Sequence, residues 1–108
     1  MRVLFLLFLL VSSTYAAQPI KYQTSQQLEI TATTTSTSII GQNLSRGYLL
    51  IVNKGTQDVF VKARTEHSST EGVRIIPGGN WEPFVVPVDE MFIKSSSGSQ
   101  SVSVIEGQ

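Results

Sequence analysis

The chain has 108 residues, with eight basic and eight acidic side chains, one histidine and no cysteine. Its basic residues after Arg2 are Lys21, Arg46, Lys54, Lys62, Arg64, Arg74 and Lys94, and they are scattered among acids, so no basic patch forms and nucleic-acid binding is not expected. Without disulfides, a small exported domain has to be held by packing, by oligomerisation or by both.

The N-terminus reads MRVLFLLFLLVSSTYAAQ: one basic residue, an unbroken apolar run from Val3 to Val11, then small and polar residues. These are the three parts of a secretory signal peptide, and small Thr14 and Ala16 predict cleavage after Ala16. The apolar run would make a helix of only roughly 14 Å, against a hydrocarbon core of about 30 Å, so stable membrane insertion is not expected. Cleavage leaves Ala17–Gln108, 92 residues with a formal charge of −1, enough for one modest core. An exported product would be periplasmic or extracellular.

Residues 17–27 are expected to be a polar arm and 28–108 the folded domain. Within QTSQQLEITATTTSTS, Leu28, Ile30 and Ala32 recur at period 2 among β-branched threonines, which predicts a strand over Leu28–Thr35. Tyr48–Asn53 and Val59–Ala63 are apolar runs joined by a short Gly-containing loop, which predicts a β-hairpin. Glu66–Gly72 reads as a polar loop. Val73–Ile76 reads as a strand stopped by Pro77, and Pro77-Gly78-Gly79-Asn80 as a turn. Phe84–Val88 is expected to be extended, Asp89-Glu90 a corner, Met91–Lys94 a strand, and Val102–Glu106 the last strand after a Gly98-centred turn. Strands recur every 8 to 12 residues or so with no sustained helical period. The expected fold is all-β: a small antiparallel sandwich or barrel, jelly-roll or immunoglobulin-like, of about seven strands.

Chemistry is sparsely signalled. His67, the only histidine, sits in HSST beside Glu66 and Glu71, but one polar loop does not supply the separate rigid segments of a catalytic triad, so a solvated loop histidine is expected. One histidine and no cysteine supply too few of the ligands that zinc sites use, and no acidic loop of the calcium type is present, so neither metal nor cofactor is expected. Asn43-Leu44-Ser45 fits a glycosylation acceptor, a short pattern common by chance. Tyr48, Trp81 and Phe84 are the candidate ligand-binding or interface residues. For Trp81 the expected partners are, in order, its own core, another copy of the chain, and a sugar.

The ordered series SRGYLLIVNKGTQDVFVKA, GVRIIPGGNWEPF and VPVDEMFIKSSSGSQSVSVIEG, spanning Ser45 to Gly107, resembles the small β-structured virion proteins of tailed bacteriophages, of the capsid-decoration, head-fibre and accessory type. The resemblance implies a non-enzymatic structural protein, localised to the virion, contacting capsid or tail proteins, and assembling as a homo-oligomer, with a trimer as the expected form. Tyr48, Phe60, Trp81, Phe84 and Phe92 would then divide between core and subunit interface. The alternative from the residues alone is an exported glycan-binding or adhesive β domain.

Overall fold

A strand that alternates apolar and polar residues has one face to bury, and two such sheets pressed together remove both faces from water. The computed structural model of the protein, which describes residues 25–108, does this with eight strands and no helix among those residues. They are β1 (Ser25–Ala32), β2 (Thr37–Ile40), β3 (Tyr48–Asn53), β4 (Val59–Ala63), β5 (Val73–Ile75), β6 (Asn80–Trp81), β7 (Met91–Ser95) and β8 (Gln100–Gly107). The expected signal segment, its cleavage site and the arm as far as Thr24 lie outside the described residues.

The strands pair antiparallel in a nested series: β4 with β5, β3 with β6, β2 with β7 and β1 with β8. The chain thus folds back on itself once, at the β4–β5 connection. Two further pairings, β3 with β8 and β4 with β7, divide the strands into two four-stranded sheets, ordered β1-β8-β3-β6 and β2-β7-β4-β5.

Both inward faces are apolar. Leu49 and Ile51 of β3 lie beside Val102 and Val104 of β8 in one sheet; Val59 and Val61 of β4 lie between Ile75 of β5 and Met91 and Ile93 of β7 in the other. Ala32 and Ile40 complete this buried cluster. Each fully buried Val, Leu or Ile stabilises the fold by about 1.5–3 kcal/mol relative to exposure.

Four sequence expectations are corrected. Tyr48–Asn53 and Val59–Ala63 are strands but not a hairpin, because β3 and β4 belong to opposite sheets and the Lys54–Asp58 segment arches between them. Apolar runs such as YLLIVN and VFVKA suit face-to-face packing as well as side-by-side pairing. The first strand covers Ser25–Ala32, not Leu28–Thr35, so Ser25–Gln27 belong to the sheet and pair with Ile105–Gly107. Thr37–Ile40 forms a strand that was not anticipated, with a register shift between Ser38 and Ile40. Phe84–Val88, expected to be extended, bends at Phe84 and Val85 and joins neither sheet. Pro83 and Pro87 each lack a backbone donor, and the segment is held through its carbonyls instead.

Candidate functional site

Two buried polar centres, one at each end of the β3 strand, shape the loops. At one end Asn53 is fully buried and uses its whole amide: Nδ2 donates to Gln57 O (2.7 Å) and Ile75 O (2.9 Å), and Oδ1 accepts from Gly55 N (2.9 Å). Its backbone carbonyl accepts from Gly78 N (2.9 Å) and its own N–H donates to Gly79 O (2.9 Å). Gln100 Oε1 accepts from Thr56 N and Gln57 N, at 2.7 and 3.2 Å. The β3–β4 arch and the Pro77–Gly79 turn are therefore stitched to the same residue, and the glycine–proline motif is a crossing between sheets.

At the other end Arg46, with a side chain wholly shielded from solvent, gathers three segments. Nε donates to Glu106 Oε2 at 2.7 Å, one Nη to the carbonyls of Pro87 (2.7 Å) and Asp89 (3.1 Å), and the other to Gly41 O (2.6 Å). Asn43 Nδ2 adds a bond to Glu106 (3.2 Å), and Asn43 N donates to Val88 O (2.8 Å). Loops 41–47 and 82–90 are thereby bound to each other and to the end of β8. Planar, five-donor arginine suits such a convergence of carbonyls and a carboxylate.

These two loops carry the most exposed large apolar side chains of this end: Leu44 is 77% exposed, Phe84 100% and Val85 82%. Phe84 and Val85 lie at a bend between the pinned Pro87–Asp89 carbonyls and the short β6 strand. β1 also begins here, since Ser25, Gly107 and Tyr48 stand side by side across three strands. Gly107 has no side chain, and a groove of about 250 Å³ opens there, lined by Ser25, Tyr48, Ile105 and Gly107. Tyr48 faces outward and its hydroxyl donates to Glu82 Oε2 at 2.7 Å.

The three candidate residues thus have different settings. Tyr48 is half-buried on the outer face beside the groove, and Phe84 is at the loop tip. Trp81 is half-buried opposite Ile51 on the inward side and packs against the core cluster. Of the other aromatics, Phe60 is half-buried and Phe92 is buried although its strand neighbours Met91 and Ile93 are the ones that face the sandwich interior.

The loop Arg64–Gly72 is a more ordered element than a polar loop suggests. Lys62 Nζ and Lys94 Nζ donate to the carbonyls of Glu66 and Ser69, both at 3.2 Å, which draws the loop across the outer face of the β4–β7 pair. Glu71 accepts from Ser68 and Ser69; chiefly through the Ser68 hydroxyl, its carboxyl is held down to about 2. His67 is not the solvated histidine expected from sequence: it is half-buried, with Nδ1 2.7 Å from Ser36 Oγ, and that hydroxyl also accepts the His67 N–H (3.0 Å). Burial, aided by nearby Lys62 and Lys94, pushes its pKa below the ordinary 6.5. Ser36 and His67 have a nucleophile–base spacing, but Nε2 has no hydrogen-bond partner among the described residues and Glu71 is committed to the serines, so no third side chain among them completes a triad.

On the outer face of the other sheet, Glu29 bonds Lys54 Nζ (2.5 Å) and Ser103 Oγ (2.6 Å). The lysine first, and then the serine, hold its carboxyl down to about 2. No group of three or more potential metal ligands occurs among the described residues. The Arg46 and Asn53 centres were not foreseen; their signal was a polar residue at each end of an otherwise apolar strand.

No protein-family model matches the chain, and comparison with curated proteins gives no match.

Proposed function

We propose that the protein is a non-enzymatic attachment protein, of the virion accessory kind that its sequence resembles, and that it docks through the loop end carrying Leu44, Phe84 and Val85. The fold we infer is a jelly roll: eight antiparallel strands, four nested pairs, and sheets ordered β1-β8-β3-β6 and β2-β7-β4-β5 support it. Jelly rolls are frequent in viral capsid and lectin domains, an analogy of fold alone.

The observation that carries the reading is Phe84. The fully exposed Phe84 ring buries no surface among the described residues, yet the loop that presents it is pinned by a buried arginine. Rigid presentation of an apolar side chain lowers the ordering cost of docking. A second reading, glycan binding, rests on the Tyr48 groove, where a ring face and the Glu82 carboxylate stand together.

The test is the double variant F84S/V85S, checked for an unchanged melting temperature and then for co-sedimentation with density-purified particles from cells carrying the gene. Loss of the variant from particles that retain the wild type supports docking. Absence of the wild type from such particles refutes the virion reading, and glycan-array binding lost in Tyr48→Ala would establish the second one.

A further inference from the structure

A sheet ends in edge strands whose outward N–H and C=O groups are unpaired, and proteins blunt such edges with shortness, proline, bulges or charge. Three of the four edges are blunted. β6 has two residues and is closely flanked by Pro77 and Pro83. β5 has three residues and runs into Pro77. β2 has four and carries the register shift between Ser38 and Ile40.

β1 has none of these devices. It pairs with β8 over all eight residues without a break, from Ser25 opposite Gly107 to Ala32 opposite Gln100. SQQLEITA contains no proline or glycine, and its one charge, Glu29, is turned onto the outer face by Lys54 and Ser103. Among the described residues its backbone pairs with β8 alone. About four N–H and four C=O groups therefore point outward along roughly 26 Å of edge. Beneath the edge the two sheets part, leaving a cleft of about 390 Å³ lined in part by Leu28, Ile39 and Ile40.

We propose that this edge pairs antiparallel with the same edge of a second copy, joining two four-stranded sheets into one of eight strands about a two-fold axis. The other free edges are too short or interrupted to receive eight residues, so a ring in which β1 meets a different edge is disfavoured, and pairing β1 with itself closes both copies at once. Opposed residues share a face, so any register centred on a residue keeps the apolar side inward, and four of them hold five residues or more in contact. The one centred on Glu29 sets two carboxylates against each other, and those centred on Gln27 and Ile30 keep only residues 25–29 and 28–32. Centring on Leu28 keeps residues 25–31, sets Leu28 against the second Leu28 over the cleft, and places each Gln27 opposite the other copy's Glu29. Gln27 Nε2 already donates to Glu29 Oε2 within one chain, at 3.1 Å. The contact does not depend on the attachment reading, which concerns the loop end.

The test uses the full chain. Light scattering after size exclusion at about 100 μM should give a dimer. Because the chain has no cysteine, Leu28→Cys introduces a unique thiol, which should link two copies on mild oxidation while Thr37→Cys on the β2 edge does not. Q27E places a carboxylate opposite each Glu29 of the dimer and should weaken it by about threefold or more, with the β fold kept by circular dichroism. A monomer at that concentration, or a dimer that L28C fails to link, overturns the proposal. So does a dimer indifferent to Q27E.

Discussion

Replacing Arg46 with alanine would remove the centre on which three segments converge. The guanidinium is fully shielded and Glu106 only 13% exposed, so the variant leaves a largely buried carboxylate without its cation and the carbonyls of Gly41, Pro87 and Asp89 without that donor. Breaking a buried pair from one side costs about 3–5 kcal/mol, much of it the penalty of the orphaned charge. For a small domain with an m-value near 1.5 kcal/mol/M in urea, that is a midpoint shift of roughly 2–3 M. Equilibrium unfolding followed by Trp81 fluorescence measures it, the single tryptophan lying next to the loop that Arg46 holds. Glu106→Gln in the Arg46→Ala background should recover part of the loss, because an amide is less costly to bury than an unpaired carboxylate. A loss below about 1 kcal/mol, or no recovery in the double variant, would refute the account of Arg46 as the organiser of the loop end.

Gly72 has φ of +97°, and a Cβ there would come within 2.2 Å of Val61 O, a backbone atom that cannot turn away. Gly72→Ala should therefore destabilise by more than 1 kcal/mol and release the 64–72 loop, seen as faster amide exchange over those residues. Acid should weaken the fold through Glu29 and Glu71, whose carboxyls are held at about 2 against an ordinary 4.5. Depressed folded-state values mean that their contribution is fully present above about 4.5 and is lost as pH falls towards 2. Melting temperatures from pH 6 to pH 2 should decline over that window, and Glu29→Gln should flatten the decline; a parallel curve for the variant would remove Glu29 from the explanation.

Much of the β architecture was legible because period-2 patterning is a local property: Val59 and Val61 alternate with Phe60 and Lys62, and Val102 and Val104 with serines, and all four valines are buried, whereas YLLIVN is apolar at both parities and its spacing does not single out Leu49 and Ile51. Partner choice is not local. The same apolar runs that suggest a Tyr48–Ala63 hairpin serve equally a pair of strands facing each other across a core, and long-range pairing with β8 and β7 decided between them. The candidate site was legible only in part. Tyr48, Trp81 and Phe84 stand out by type, but sequence cannot say which of them faces in: Trp81 is set against Ile51 by a two-residue strand, whereas Phe84 is turned outward by a loop that carries two prolines and is tied to Arg46.

The amino-acid sequence by itself determined the class of structure, since apolar alternation, turn residues and the absence of cysteine act over a few positions or none. Only the tertiary structure decided which edge is left without a partner among the described residues, what His67 touches and why Arg46 is buried. Those outcomes depend on segments tens of residues apart meeting at one place, where each polar group must find a partner or lose its hydration uncompensated.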